Sequence, residues 1–260
     1  TLTQSRRRLT LPRRSVLHAM AGAHGKYFGT KIYSTHPKHG AHFLFALYSA
    51  ADARPLALFE ANALGQIRTG AASGYATRLL ARVGASVVGV IGSGFQARSQ
   101  IEAMRCVCPG CSVRVWSRSA ENRVRCAVEM GVSAVDSAEE AVRGADIVVT
   151  ATNSKAPVLE SDWVGPGTHI NAMGSNQPTR REIPAELVMR ADVIAVDSIE
   201  QASLESGDLI FALDNAGWSR VVELPASRPS PEAITLFKSN GIGAEDVAVA
   251  GYVYERSGYS

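Results

Sequence analysis

The stretch that most constrains the fold of this chain is VVGVIGSGFQA, residues 87–97. Four β-branched residues, Val87, Val88, Val90 and Ile91, make a short buried strand, and Gly92-x-Gly94-x-x-Ala97 follows at once. Dinucleotide-binding folds use that order to bring backbone to a pyrophosphate. Gly92 makes the tight turn, Gly94 has no Cβ to hold the chain away from phosphate, and Ala97 lets the next helix pack on the strand. The free N–H groups at the start of that helix then face the anion. A glycine turn joining any strand to any helix is the plainer alternative, and the flanks decide between the two.

The flanks alternate. Residues 95–107 read as a helix and SVRVWSR (112–118) as a second strand. Ser119 caps the next helix, which carries Glu121 in its first turn and stops at Gly131. Ser137-Ala-Glu-Glu140 is a capping box for a third helix ending at Gly144. DIVVTAT (146–152), HINAMG (169–174) and DVIAVD (192–197) are near-continuous apolar runs of the kind buried on both faces of a parallel sheet, and REIPAELVMRA supplies a helix between the last two. Alternation from about 86 to 200 predicts an α/β fold, a Rossmann-type doubly wound parallel sheet.

Both ends lie outside this unit. Residues 1–68 read as mixed sheet and helix, with Phe43, Phe45 and Leu47 alternating as in a strand, and GAEDVAVAGYVYER (243–256) reads as an apolar-faced helix. The expected division is a dinucleotide-binding domain at 69–234 and a discontinuous α+β domain at 1–68 plus 235–260, for substrate and dimerisation. Such a domain closes a cleft over the carboxyl ends of the strands, where ligands of open α/β sheets bind.

The end of the second strand selects the dinucleotide. An Asp or Glu there accepts both adenine-ribose hydroxyls and repels a 2′-phosphate, favouring NAD. Here the segment is Ser117-Arg118-Ser119, with no acid and with an arginine able to make a charge-assisted bond to phosphate. NADP(H) is therefore expected in preference to NAD(H).

Composition excludes several other classes. With 260 residues, 46% of them hydrophobic, the chain can bury a sizeable core. No apolar run reaches the ~18 residues that span a bilayer, so a soluble, cytoplasmic protein without membrane contact is expected. SRRRLTL (5–11) has the look of a twin-arginine export signal, but Pro12, Arg13 and Arg14 stand where its apolar region should be. A net charge of +3 is too small to argue for nucleic acid, yet residues 1–51 hold eight Lys or Arg and no acid before Asp52. A basic arm or transit peptide is one reading of that asymmetry; an anion site in a folded segment is the one preferred here. Cys106, Cys108 and Cys111 in CVCPGC have the spacing of a zinc knuckle, but the remaining cysteine, Cys126, lies inside a predicted helix, so no metal is expected and reduced thiols are. His36, His39 and His42 are interrupted by Pro37 and Gly40 and read as a surface turn.

RTGAASGYATRLLA (68–81), GVIGSGFQA, ADIVVTAT, PGTHINAMGSNQPTRREI (166–183), ADVIAVDS and ITLFKSNGIGAEDVAVA (234–250), in this order, resemble the ornithine cyclodeaminase and mu-crystallin family over nearly the whole chain. The resemblance implies a homodimeric nicotinamide enzyme acting at the α-carbon of an amino or imino acid. It implies three cations on the substrate carboxylate, matched at Arg14 (PRRSVL), Lys31 (FGTKIYS) and Arg68 (RTGAA), although the stretch from Arg14 to Lys31 is shorter than the family's usual pattern. It places Thr69, Phe95, Gln96, Ala151, Thr152, Asn153, Met173 and Gly174 along the cofactor, with Arg180 and Ser239 near the nicotinamide. The family's cyclodeaminases carry an aspartate where this chain has Asn176, and an amide cannot serve as a carboxylate base.

Together these readings predict an NADP-dependent reductase of a cyclic imino acid of the pyrroline or piperideine 2-carboxylate type, or the reverse dehydrogenase. Arg14, Lys31 and Arg68 clamp the carboxylate, and Lys31 is the candidate proton donor. A cyclodeaminase, in which Asp197 is the first substitute base to test, an alanine-type dehydrogenase and an NADPH-binding crystallin without turnover are the alternatives.

Overall fold

The computed structural model describes residues 1–258 and divides them into two units, Thr1–Arg68 with Gly241 onward, and Thr69–Asn240. The first unit opens with five strands, β1 (Leu2–Thr10), β2 (Val16–His24), β3 (Tyr27–His36), β4 (Gly40–Ser49) and β5 (Pro55–Glu60), paired antiparallel in sequence order. Helix α1 (Asn62–Leu80) then runs across the first boundary. The sheet reads as strands because apolar residues recur at every second position, and one face is buried. On that face Phe45 and Leu47 pack with Leu64, Val247 and Ala250.

In the second unit, β6 (Val87–Ile91), α2 (Phe95–Val107), β7 (Ser112–Trp116), α3 (Ala120–Met130), β8 (Ser133–Ala134), α4 (Ala138–Val142) and β9 (Ile147–Thr150) form the first half. The second half holds β10 (His169–Ala172), α5 (Ala185–Arg190), β11 (Val193–Val196), α6 (Ile199–Glu205), α7 (Gly207–Ile210), α8 (Asn215–Trp218), β12 (Val221–Glu223) and β13 (Thr235–Lys238). All eight strands are parallel, in the order β12-β11-β13-β10-β9-β6-β7-β8. Both faces are covered: Val148, Ile170 and Leu236 enter one core, and Val90, Val149 and Phe237 the other. This accounts for the unbroken apolar runs. The order in which strands are added reverses between β6 and β9, which makes the crevice at their carboxyl ends the topological switch point.

The expected second boundary at 234 is corrected to 240. TLFK at 235–238 is a central strand, wedged between β10 and β11, and cutting before it would remove the middle of the sheet. The chain closes with α9 (Gly243–Arg256), which packs on the first unit's sheet. Its first turn lies flush on β2: a Cβ on Gly22 would stand 2.3 Å from the backbone nitrogen of Ala244, and one on Gly243 would stand 2.4 Å from the carbonyl oxygen of Ala21. That contact fixes where the acidic residues of this turn, Glu245 and Asp246, stand.

Candidate functional site

The second unit carries a pocket of about 960 Å³ at the switch point, near the top of the range of roughly 300–1,000 Å³ for small-molecule and cofactor sites. Gly92 turns the chain at φ +120°, and a Cβ there would stand 2.3 Å from the carbonyl oxygen of Ala151, so no other residue fits. A Cβ on Gly94 would meet nothing within 4 Å; the space beside it is open. Gly94 also precedes α2 without a side-chain cap, leaving the first N–H groups of a 13-residue helix for an anion. These features fit the pyrophosphate of a dinucleotide.

Gly92, Gly94, Phe95, Gln96, Ser117, Arg118, Ser119, Ala151, Thr152 and Asn153 all line this pocket. Its charged side chains are Arg98, Arg118, Arg125 and Glu160, an excess of cations suited to phosphates. Two of the expected serines are already engaged: the Ser93 and Ser117 hydroxyls lie 2.7 Å apart, and the Ser119 hydroxyl accepts from the Asn122 backbone N–H at 3.2 Å. Arg118 stands exposed at the rim.

Thr69, Met173, Gly174, Arg180 and Ser239 are placed otherwise. The Thr69 carbonyl accepts from the Gln100 side chain at 3.2 Å. Met173 is core, its sulfur accepting from the Ser73 hydroxyl at 3.0 Å. Arg180 donates to the Asn153 carbonyl at 3.2 Å. Ser239 is buried and donates to Asp197 at 3.0 Å. Asp197 also accepts the Ser198 and Asn240 backbone N–H groups at 3.0 and 2.7 Å, so its carboxylate is tied into the chain. Hydrogen-bond geometry orients the Asn176 amide with its nitrogen donating to the carbonyl oxygens of Ser175 and Ser239, each at 3.0 Å.

Sequence reasoning missed the residue that holds this end of the sheet together. Glu182 is fully buried and accepts four hydrogen bonds, from the Thr152 N–H and hydroxyl at 2.7 and 2.6 Å, the Gly174 N–H at 2.7 Å and the Thr150 hydroxyl at 3.0 Å. Burial raises its carboxyl above the usual range, and the Lys238 ammonium opposes that rise. The loops after β9 and β10 are thus pinned to one carboxylate.

The first unit gathers cations on the buried face of its sheet. Lys31 on β3 is 2% exposed and donates to Asp246 at 2.9 Å. Arg68 donates to Glu245 at 2.9 Å and lies 3.4 Å from Asp246. Its guanidinium lies against Gly241, where a Cβ would come within 2.4 Å of Nη1. Burial pulls the Lys31 ammonium down to about 8, with the Arg68 charge adding to the fall, Asp246 opposing it, and Arg6 contributing last. Burial, more than the neighbouring cations, sets this value. Tyr33 and Phe43 present their rings to Lys31 at 5.9 and 5.7 Å.

Arg14 is not among these residues. It sits exposed at the tip of the β1–β2 hairpin with φ 65°, where its N–H bonds the Leu11 carbonyl at 3.0 Å. The third cation is Arg6, eight residues earlier, which donates to the Gly241 carbonyl at 3.4 Å. Pairing explains the exchange: Lys31 faces Met20, and the β1 residues opposite that part of β2 fall between Gln4 and Arg7, where the register shifts. Arg6, Lys31 and Arg68 thus gather on one side of the first unit, with Glu245 and Asp246 beside Arg68 and Lys31.

Fold and site define a two-domain nicotinamide-dependent oxidoreductase. The chain belongs to the ornithine cyclodeaminase/mu-crystallin family, whose model matches residues 2–259. It is 37% identical to an alanine dehydrogenase of Archaeoglobus fulgidus, over 93% of this chain and 80% of that protein. It is also 37% identical to the ketimine reductase mu-crystallin of Mus musculus, over 84% of this chain and 70% of that protein. The structure of Thermococcus litoralis Δ1-pyrroline-2-carboxylate reductase in complex with NADH and L-proline superposes with a TM-score of 0.88 at 29% identity, covering 98% of this chain and 87% of that one.

Proposed function

We propose that the chain reduces a cyclic imino acid of the pyrroline or piperideine 2-carboxylate type with NADP(H), or runs the same step backward on the amino acid. The observation that carries the choice of a reductase is the setting of Asn176. Its amide nitrogen faces two carbonyl oxygens, so a carboxylate there would confront two acceptors and lose both hydrogen bonds. The position suits an amide and not a base. Reduction of a preformed ring needs no base, only a held carboxylate and a proton source.

Arg6, Lys31 and Arg68 hold the carboxylate in this reading, Arg6 taking the role expected of Arg14. An arginine can grip it in bidentate fashion, through charge-assisted hydrogen bonds. When bound, the reduced nicotinamide supplies a hydride for the substrate's C=N carbon. Lys31, with its ammonium at about 8, carries a proton at neutral pH that it gives up more readily than an ordinary lysine does, and so serves as donor to the substrate nitrogen. Glu182 keeps Thr152 and Gly174 in place. Arg118, at the pocket rim, binds the 2′-phosphate of NADP(H) and sets the preference over NAD(H).

The active form is a homodimer. Leu9, Leu17, Phe28, Ile32, Leu44 and Leu58 all stand on the face of the antiparallel sheet opposite Lys31, and Leu58 is 72% exposed. An apolar face this broad is suited to a second copy. The four cysteines, all free, support a cytoplasmic setting. NADPH oxidation against a panel of cyclic imino acids, and of 2-oxo acids with ammonia or methylamine, tests the reading. Turnover confined to the 2-oxo acids with ammonia would replace it with an amino-acid dehydrogenase.

A further inference from the structure

The CVCPGC segment takes no part in the site described above. Helix α2 ends at Val107, and Cys108 closes it by donating its N–H to the Met104 carbonyl at 2.8 Å. The next four residues, Cys108-Pro109-Gly110-Cys111, form one closed β-turn, in which the Cys111 N–H donates to the Cys108 carbonyl at 3.1 Å. Gly110 has φ +81°, and Pro109 precedes it; proline followed by a left-handed glycine is the signature of a type II turn. A closed β-turn holds its first and last Cα atoms within about 7 Å, and a disulfide needs roughly 4.4–6.8 Å. The turn therefore holds the backbones of two half-buried free cysteines at a separation that a disulfide spans.

We propose that Cys108 and Cys111 are a reversible dithiol–disulfide site, a modification site at the junction of α2 and β7. Burial raises the Cys108 thiol, and a charge on Cys111 raises it further. The Arg105 guanidinium, anchored by the Gly131 carbonyl at 2.8 Å, favours the Cys111 thiolate, while burial raises both thiols. Cys111 is accordingly the attacking sulfur. Its thiolate displaces one thiol from a low-molecular-weight disulfide and forms a mixed disulfide. Cys108 then loses its proton to solvent and displaces the second thiol. Two protein thiols are oxidised, one external disulfide is reduced to two thiols, and one intramolecular S–S bond forms. The loop closed is very short, so the bond removes little chain entropy and stays open to reduction.

Cys106, exposed on the last turn of α2, and Cys126, buried on α3, lie outside the turn. The test uses the full chain with Cys106→Ser, incubated with oxidised glutathione, alkylated, digested with trypsin and read by mass spectrometry. The expected result is an internal disulfide in the peptide spanning 106–114, the loss of two free thiols per chain, and full recovery of both on treatment with dithiothreitol. Cys106→Ser combined with Cys108→Ser, or with Cys111→Ser, should stop at a glutathione adduct on the remaining thiol. Alkylation of both Cys108 and Cys111 after oxidation would overturn the proposal, as would stable double glutathionylation without a bridge. Because the mapping is made in the Cys106→Ser protein alone, it stands even if a double variant fails to fold.

Discussion

Replacing Asp246 by Asn probes the proton source directly. Asp246 is fully buried, accepts from the Lys31 ammonium at 2.9 Å, and its charge raises the Lys31 pKa against the larger lowering from burial. Removing the charge must therefore lower that pKa further. A charge-assisted hydrogen bond contributes about 1.5–3 kcal/mol, and about 1.4 kcal/mol corresponds to one pKa unit. Since an amide oxygen still accepts one bond, the lower end applies, a fall of about one unit. Lys31 would then titrate near pH 7 instead of about 8. Reduction consumes the lysine proton, so kcat/KM falls as pH rises through this pKa in either protein, and Asp246→Asn moves the fall to lower pH. At pH 8 the protonated fraction drops from about half to about a tenth, a loss of roughly fivefold, while below about pH 6 both proteins are fully protonated and the difference shrinks. The assay is the pH profile of NADPH oxidation with a cyclic imino acid. A loss that is the same at every pH, or an inflection that stays in place, would remove Lys31 as the donor and leave Asp246 a structural residue only.

The other variants separate the remaining assignments. Arg6→Ala should lower kcat/KM for the imino acid at least tenfold, as expected for a lost charge-assisted bond of about 1.5–3 kcal/mol, with NADPH affinity unchanged, whereas Arg14→Ala at the hairpin tip should act within twofold of the parent. The opposite ranking would return the role to Arg14. Arg118→Ala should erase most of the difference between NADPH and NADH in a fluorescence titration, and equal affinities in the parent would refute the 2′-phosphate contact. Leu44→Asp, a charge in the centre of the exposed sheet face, should convert a dimer to monomer in sedimentation analysis, and an unchanged molecular mass would send the dimer interface elsewhere.

Much of the second unit was legible because its signals are local. The span expected for the helix after the glycine turn, 95–107, is that of α2, since the turn that starts it and the CPG that ends it are neighbours in sequence. Ser119 and Gly131 bracket α3 as caps, the hydroxyl accepting the Asn122 N–H and the glycine taking a left-handed conformation. Strand β13, no shorter than β9, β10 or β11, escaped notice because it ends on Lys238 and gives no apolar run, and its place between β10 and β11 depends on packing far along the chain. Arg6 was hidden for a related reason. Its segment reads as a charge run, and only the hairpin register, which shifts between Gln4 and Arg7, sets Arg6 across from Met20 and so near Lys31. Glu245 and Asp246 look like ordinary acids favouring a helix N-terminus. Their pairing with Arg68 and Lys31 arises from the backbone contact between Gly22 and the start of α9, which no spacing rule encodes. Glu182 is a carboxylate in a polar loop until the fold buries it against the ends of β9 and β10.

Asn176 decides most directly between reducing a ring and making one. Cyclising a diamino acid requires a base to take the proton from its distal ammonium, whose ordinary pKa is near 10, before that nitrogen can attack. An amide that donates to two carbonyl oxygens cannot do this, and Asp197, tied to Ser198, Ser239 and Asn240, is in no position to replace it. The measurement is ammonia release from ornithine or lysine with catalytic NADP, run beside NADPH oxidation by the corresponding cyclic imino acid. The first should release no ammonia and the second should oxidise NADPH steadily; stoichiometric ammonia together with proline or pipecolate would mean that the chain makes the ring itself.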